Sequence, residues 1–492
     1  MESNKNLEIN TKNGLCCILF SLLLGMIFDR LFIDKSLGIS CFIFIGLCIG
    51  FFLWSIRARN LKRSFGWLLL IPVALLALSF SVHTDQVFYI FNFLAIPILM
   101  IASSILIVNP RLKWDRARFI SEMAGRAIGN VLNNITKPFS ILKSSIRIGR
   151  TSEMKEGKKQ ILLGILVSLP LLLVIILLLS SADMIFGYYF VNLTELFSKI
   201  DLGNLVPHSI VILIIAFYLF GYVWSFKSEE KAMEKDLDSP SASWGSVTVI
   251  TVLIALNILY MIFTMIQFSY LYGGDKVALP DGFTYAEYAR KGFFELAAVT
   301  FINFIIVLSC LKYVKKDNTK LLKTTNLLLT VLVVFTLNML FSVNFKLTLY
   351  EAAFGYTILR VSVHLFMLLL FLLCLVVAFG IWYRKIPIMK SIIVITISMY
   401  TVTNYLNIDG FIARKNVEIY NQTGKLDIYY LTSLSFEAVP YLIELRDKSD
   451  DNTKAIIDEN LKHRKEVLAR ENSWTEFNLS RNKIEKILNQ VN

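Results

Sequence analysis

The chain has 492 residues, of which 55% are hydrophobic and 18% charged, and its mean hydropathy is +0.60. A soluble globular protein carries about 25% charged residues, so the composition excludes that class. The net charge of +13 would suit nucleic acid, but no DNA- or RNA-binding motif accompanies it, and we expect no such partner. The six cysteines all lie in apolar runs, without a disulfide framework or a C-x-x-C site.

About eleven apolar runs predict an all-α, polytopic integral membrane protein. A run of roughly 18 residues or more can cross the hydrocarbon core as a helix, which satisfies its own backbone hydrogen bonds. The first run, Leu15–Phe28, is short, and we expect it to be an uncleaved helix that continues towards Ile33, since no small-x-small cleavage site follows. The clear spans are Leu37–Ile56, Phe65–Val82, Val87–Val108, Ile161–Ser180, His208–Phe226, Ser246–Leu271, Gly292–Val314, Leu322–Val343, Thr357–Trp382 and Ile388–Leu406.

Lysine and arginine are distributed unevenly between alternate loops. One set of loops holds 27 of them and the other set holds 7. Because cytoplasmic loops carry the excess of basic residues, the first set is expected inside. With eleven spans the N-terminus is then inside and the C-terminal tail outside. The positive charge of the inner loops suits anionic lipid head groups.

The chain divides into four predicted regions. Residues 1–108 hold four transmembrane helices, and residues 109–160 form a basic cytoplasmic loop. Residues 161–406 hold seven helices, and residues 407–492 form a small external helical tail. In this tail we expect a helix around Leu426–Tyr430, a second one capped by Ser435, and a charged one through Lys454–Arg470. We expect the tail to pack on the outer membrane surface.

The loop 109–160 contains a basic amphipathic pattern. Its apolar residues recur at spacings of three and four, which places them on one helical face: Ile120, Met123, Ala127, Val131 and Ile135. Arginines accompany this face, and Pro138 ends the segment. Basic amphipathic helices tend to lie in the membrane interface, so the lipid bilayer is the favoured partner. A docking site for a cytoplasmic protein partner is the alternative.

Familiar catalytic signatures are missing, and no metal site or cofactor is expected. There is no Walker A loop, no H-E-x-x-H and no G-x-S-x-G. Instead, polar residues concentrate at the outer ends of the later helices, and they form the candidate ligand-binding set: Glu287, Arg290, Glu295, Asn303, Tyr350, Glu351, Arg360, His364 and Asp409. Ionisable groups at membrane depth are paired or functional. Structural ion pairing and ligand contact therefore both remain open. The intramembrane Asn257, Asn326 and Asn338 are expected to hydrogen-bond between helices.

Several of these residues lie in motifs that resemble a known family. The strings are Gly282–Asn303, Leu349–Arg360 with His364, Asn404–Arg414 and Leu426–Ser435. In combination they resemble the bacterial multi-pass membrane family known as domain of unknown function 4173, over roughly residues 85–450. The resemblance implies a protein of the bacterial cytoplasmic membrane. It implies no reaction, because that family has no established one.

Three functions from different classes fit the sequence. The first is a permease or lipid-handling protein with an outward-facing polar cleft, and we favour it. The second is a membrane enzyme at the outer face that uses Glu287, Glu295, Glu351 or Asp409 as acid or base. The third is a non-catalytic envelope sensor or assembly factor that signals through the loop 109–160.

Overall fold

The computed structural model describes residues 2–56, 63–148, 183, 202–228, 243–271, 293–314, 319–383, 385–470 and 473–490. Within these ranges the chain is helical, and its β-structure amounts to one isolated bridge between Trp244 and Val314. The chain forms two compact units. Unit 1 comprises Met1–Ser81, Ile90–Met233 and Glu471–Asn478, and unit 2 comprises Val82–Tyr89, Glu234–Arg470 and Leu479–Asn492.

The described part of the chain begins with four apolar helices, three short helices follow, and a long apolar helix comes after them. They are α1 Glu2–Phe32, α2 Ile39–Ser55, α3 Phe65–Ser79, α4 Gln86–Val108, α5 Ala117–Ala124, α6 Asn130–Asn134, α7 Lys137–Ile148 and α8 Leu202–Ser228. In unit 1, α1 packs along α8, while α6 packs on α8 and α7 on α1. The predicted span Ile161–Ser180 lies outside the described residues.

Five further long helices follow, and α9 to α12 form one apolar core. The five are α9 Ser246–Leu271, α10 Phe293–Tyr313, α11 Thr319–Phe354, α12 Ile358–Trp382 and α13 Ile388–Thr403. The core includes Leu253, Leu332 and Ile381, which are fully buried. Many large apolar side chains on the other faces are exposed, as expected of helices that contact lipid.

Polar side chains join these helices. Asn257 donates to the carbonyl of Leu328 at 3.0 Å, and Asn326 donates to the carbonyl of Ile381 at 3.2 Å. Asn338 reaches a threonine hydroxyl of α9 at 3.4 Å. The prediction that these three asparagines bond between helices is confirmed.

The tail is helical, as predicted. Its helices are α14 Ile408–Thr423, α15 Ile428–Ser433, α16 Val439–Arg446, α17 Asp451–Arg470 and α18 Leu479–Leu488. Ser435 precedes a short 3₁₀ turn, Phe436–Ala438, that leads into α16. The unit 2 helices α14 to α18 share an apolar core that includes Ile412, Leu442 and Ile457, and Val361 of α12 belongs to the same core.

The number of membrane spans differs from the predicted count. In the described part, seven helices are long and apolar enough to cross a membrane. The pair α13 and α14, which is bent by 61°, makes an eighth if it is one span. The apolar helices α2 and α3 are shorter than 18 residues, so about eleven spans are not confirmed. The stretch Asn13–Phe32 within α1 is long enough, which extends the predicted Leu15–Phe28 in both directions.

The predicted single apolar face of the loop is wrong. A π-helical turn, Gly125–Gly129, separates α5 from α6. A π turn accommodates an extra residue per turn, so a strict three-and-four spacing does not stay on one face. Val131 is consequently buried, whereas Ile120 is 69% and Ile135 39% exposed.

Candidate functional site

A tight turn joins α11 to α12 in unit 2. Gly355 adopts a left-handed φ of 78°, and a Cβ there would lie 2.5 Å from the Oδ1 atom of Asn416. The backbone N–H of Tyr356 donates to that Oδ1 at 2.7 Å, and the Asn416 amide donates to the Tyr356 carbonyl at 2.8 Å. Thr357 caps α12 by accepting from the N–H of Arg360. The turn is thereby fixed to the tail helix α14.

A buried carboxylate lies just before this turn. Glu351 is 1% exposed, and its Oε2 atom is 2.9 Å from Nε2 of His364 on α12. The other ring nitrogen of His364 is 2.7 Å from Oδ1 of Asn344. Two acceptors around one imidazole require either a proton on both nitrogens or an Asn344 turned to present its amino group. Within the described residues, Oε1 of Glu351 has no hydrogen-bond partner.

An arginine closes the turn beside this pair. Arg360 donates to the carbonyl of Phe354 at 3.1 Å and to the carbonyl of Gly355. Its guanidinium carbon lies 4.4 Å from the centre of the Tyr350 ring, a cation–π contact. Arg360 therefore satisfies the last carbonyls of α11, as expected of a cation at a helix C-terminus.

A second buried carboxylate belongs to the tail. Glu437 accepts from the backbone N–H of Thr84 at 2.8 Å and from the Thr84 hydroxyl. It also accepts from the Ser435 hydroxyl at 2.6 Å, and Nδ1 of His83 lies 3.4 Å away. The other nitrogen of His83 is 3.3 Å from the Tyr405 carbonyl. Glu437 thus ties the segment 82–89 to the tail.

Two aspartates accompany Glu437. Asp409, which is 3% exposed, accepts from the N–H of Ser435 at 2.8 Å. Asp85, which is 6% exposed, accepts from the N–H groups of Val87 at 2.9 Å and Phe88 at 3.3 Å at the start of α4. Each has one buried oxygen, Oδ1 of Asp409 and Oδ2 of Asp85, without a hydrogen-bond partner in the described part of the chain.

Arg464 of α17 is the buried cation nearest to these groups in the tail. Its guanidinium donates to the carbonyls of Thr432 and Leu434 at 2.8 and 2.6 Å. It also donates to the carbonyl of Ser435 at 2.8 Å and to Oδ1 of Asn460 at 2.7 Å. The cation therefore joins α15, the 3₁₀ turn and α17 through backbone carbonyls.

The environment separates the pKa values of these groups. Burial and then the neighbouring Asp409 raise the pKa of Asp85 to about 6. Burial also penalises the charged Glu437, but hydrogen bonds from His83, Ser435 and Thr84 outweigh it and lower its pKa to about 2. Burial opposes the charged form of His83, yet the hydrogen bond to Glu437 leaves the pKa of His83 raised. Asp85 therefore titrates closer to neutral pH than Glu437.

Tyr430 joins the two groups of residues. Its hydroxyl accepts from the N–H of Ile358 at 2.7 Å, at the start of α12. Burial raises its pKa, and the charges of Asp409, Arg360 and Asp85 all influence it. We call these two groups together with Tyr430 the polar layer of unit 2, which consists of His83, Thr84, Asp85, Tyr350, Glu351, Arg360, His364, Asp409, Tyr430, Ser435, Glu437 and Arg464.

The structure distributes the predicted site residues unevenly. It brings Tyr350, Glu351, Arg360 and His364 together at the turn and places Asp409 in the same layer. Asn303 is elsewhere: it accepts from the Tyr260 hydroxyl at 2.7 Å and donates to Thr336 at 3.0 Å, within the packing of α9 to α11. Glu295 is exposed in the first turn of α10. Glu287 and Arg290 lie outside the described residues.

Sequence reasoning missed seven of the twelve residues of the polar layer. His83, Thr84 and Asp85 are three consecutive polar residues between two predicted spans, and an aspartate before a helix is an N-cap signal. That combination could have identified the three residues as candidate site residues. Nothing in the sequence sets Arg464 apart from the other charges of α17, because its burial depends on tertiary contacts.

Helices long enough to span a membrane, together with buried ionisable groups, define an all-α integral membrane protein. Among the described residues no group of three His, Cys, Asp or Glu side chains could hold a metal ion. The family model described as "Domain of unknown function (DUF4153)" matches residues 70–445, and the chain belongs to this family. Its number differs from the 4173 that the motifs suggested, although both are domains of unknown function. No curated protein and no solved structure matches.

Proposed function

We propose that the protein is a permease or lipid-handling protein of a bacterial plasma membrane, and that the polar layer contacts its ligand. The ligand class that suits the layer carries hydrogen-bond donors, such as an amine, a polyol or a lipid head group with such groups. The N-terminus is inside, and the tail is outside. The polar layer then faces the outer side of the membrane.

The observation that carries this proposal is a set of three buried carboxylates with spare acceptor atoms. Glu351, Asp409 and Asp85 are 1%, 3% and 6% exposed. Each keeps one oxygen without a hydrogen-bond partner in the part of the chain that the structure describes. An unsatisfied buried acceptor costs about 1–3 kcal/mol, and more if it is charged. A donor-bearing ligand or a proton at these oxygens would relieve that cost.

The connections between helices support an outer location for the polar layer. Three connections adjoin the polar layer of unit 2: the segment 82–89, the turn at 355–357 and the link from α13 to α14. Each follows an odd-numbered span when the runs predicted from the sequence, including 161–180, are counted. The positive-inside bias therefore supports an outer location for all three connections.

Glu351 is the residue whose change tests the proposal. Purified protein is reconstituted into liposomes and assayed for uptake of radiolabelled amines, amino acids and polyols, and for dithionite-accessible transfer of fluorescent phospholipids. We expect activity towards one of these classes. Glu351→Gln should reduce that activity at least tenfold, because the neutral amide adds a donor where the ligand needs an acceptor.

Asn303→Ala is the matched control. Asn303 is as buried as Glu351 and lies on a neighbouring helix, but it is outside the polar layer. This change should lower the melting temperature while leaving transport per folded molecule near the wild-type value. Wild-type transport by Glu351→Gln, or equal losses in both variants, would remove the polar layer from the function.

A membrane enzyme is the second candidate, and the His364–Glu351 pair favours it. A histidine that a buried carboxylate orients is a general-base arrangement, and the His364 side chain is 27% exposed. In that case wild-type protein should convert phospholipids in the same liposomes to new products detected by mass spectrometry. His364→Gln should abolish the conversion. A lipid composition that stays unchanged with active wild-type protein would exclude an enzyme acting on these lipids.

A further inference from the structure

The segment 117–135 of unit 1 has two faces with different surroundings. One face docks on α8: Val131 is 4% exposed, and a Cβ added to Gly221 would lie 3.0 Å from the Val131 carbonyl oxygen. Arg126, which is also 4% exposed, donates to the carbonyl of Ser225 at 3.1 Å and pairs with Glu122 at 2.9 Å. These contacts fix how the segment is rotated about its axis.

The other face carries large apolar side chains that are exposed within the described part of the chain. Ile120 is 69%, Ile128 63% and Leu132 59% exposed. They lie before, within and after the π-helical turn, and their shared exposure shows that they form an uncovered stripe along the segment. A soluble surface rarely leaves such a stripe open, and it marks a site of contact with a membrane or another protein.

The position of the segment 117–135 in the chain indicates its depth relative to the membrane. It begins nine residues after α4 ends at Val108, and α4 is long and apolar enough to cross the membrane. Its docking sites Gly221 and Ser225 lie in the last two turns of α8, another such helix. At that end of α8, the Lys227 ammonium lies 5.3 Å from the Trp224 ring centre. Tryptophan and lysine near the end of a span mark the membrane–water interface.

The charge of the region indicates which partner its exposed surface binds. Residues 109–148 hold eight Lys and Arg against two acidic residues. Arg116 and Arg118 flank Ile120 and are exposed, as are Lys137 and Lys143 further on. Glu122, one of the two acids, is already paired with Arg126. The uncovered surface is therefore apolar and cationic, which matches the head-group region of an anionic leaflet.

We propose that the segment 117–135 is a membrane-surface anchor. Ile120, Ile128 and Leu132 insert at the level of the upper acyl chains of the leaflet adjoining α4 and α8, and the flanking Arg and Lys side chains bind anionic lipid phosphates. Val131 and Arg126 hold the segment on α8 so that the apolar stripe points into the leaflet. This inference is independent of the proposed transport function.

Nitroxide accessibility in the full-length protein tests this anchor. Cys16 is the one exposed cysteine of the six, so Cys16→Ser provides the background for labelling. Nitroxides are attached at Ile120→Cys or Ile128→Cys, and at Ser140→Cys as the exposed polar control in the same region. The protein is placed in nanodiscs of phosphatidylcholine with or without phosphatidylglycerol.

In anionic nanodiscs, oxygen should increase the relaxation rate of the labels at positions 120 and 128 more than an aqueous nickel complex does. The label at 140 should show the reverse. The preference at 120 and 128 should weaken in neutral nanodiscs, and also when Arg116 and Arg118 are changed to Gln. Water-like accessibility at 120 and 128 in anionic nanodiscs would overturn the proposal and leave the stripe for a cytoplasmic protein. Equal accessibility in both lipid mixtures would overturn the role of anionic lipid.

Discussion

Single residues decide whether the polar layer keeps its shape, and Gly355 is the most constrained of them. Its left-handed φ costs a side chain about 1–3 kcal/mol, and a Cβ would also collide with the Asn416 amide. Gly355→Ala should therefore lower the free energy of unfolding by about 2 kcal/mol or more. Thermal unfolding in detergent measures this effect.

Gly46→Ala is the matched control for Gly355→Ala. Gly46 lies inside α2, and a Cβ there would meet no atom within 4 Å. Alanine favours a helix over glycine by about 1 kcal/mol, so this variant should be neutral or more stable. Equal melting temperatures for the two variants would contradict the role assigned to Gly355.

Asp85 should make stability depend on pH. Its folded pKa of about 6 lies above the ordinary aspartate value of 3.8, so the folded state holds the proton more tightly. The stabilisation is complete below about pH 4 and is lost as the pH rises through about 6, on the order of 2–3 kcal/mol. The raised pKa of His83 acts in the same direction at higher pH.

Asp85→Asn tests this assignment, because the amide oxygen can still accept from Val87 and Phe88. The variant should lose most of the change in unfolding free energy between pH 4 and pH 6. Glu437, whose folded pKa is about 2, contributes stability that is present above about pH 4.5 and lost only as the pH falls towards 2. A pH profile in Asp85→Asn that matches the wild type would show that another group titrates.

At the scale of elements, the tail helices depend on Arg464. Three backbone carbonyls, one buried and two half-buried, accept from its guanidinium, and a shorter neutral side chain would leave them unsatisfied. Arg464→Gln should cost about 3 kcal/mol or more, since each unsatisfied buried acceptor costs about 1–3 kcal/mol. Hydrogen exchange followed by mass spectrometry should show faster exchange across α15 to α17, with α9 to α12 unchanged.

Arg414→Gln is the control for this substitution. Arg414 lies on α14 with a half-exposed side chain and a 3.8 Å ion pair to Glu418, which is exposed as well. Such surface pairs contribute about 0–1 kcal/mol. Exchange in the tail should stay at the wild-type rate. Equal acceleration in both variants would mean that any loss of charge loosens the tail.

Elements were predicted well where one local pattern determines them. Ser246–Leu271 has the predicted bounds, and α12 and α17 begin within a few residues of the predicted positions. The prediction of a single apolar face for the loop 109–160 was wrong, because a three-and-four spacing does not indicate the π-helical turn at Gly125–Gly129. Helix α11 extends to Phe354, well past the predicted Val343. The added turns carry the charged residues Lys346 and Glu351, which tertiary packing buries and which a hydropathy pattern excludes from a span.

At the scale of the whole molecule, hydropathy was sufficient to predict an all-α membrane protein. Five of the twelve residues of the polar layer followed from the same reasoning, since residues such as Glu351, Arg360 and His364 are conspicuous polar residues at the ends of apolar runs. The other seven include residues that pair more than three hundred positions apart, such as Thr84 and Glu437. Sequence spacing carries no information about such contacts, and only the fold reveals them.

Impermeant thiol labelling is the most direct test of whether the polar layer faces the outer side of the membrane, as we propose. In the Cys16→Ser background, single cysteines replace Asp447, an exposed tail residue, and Lys143, an exposed residue of the basic loop. Position 447 should react in intact spheroplasts, and position 143 should react only after lysis. Labelling of both positions from the same side, or protection of 447 until lysis, would contradict the proposal.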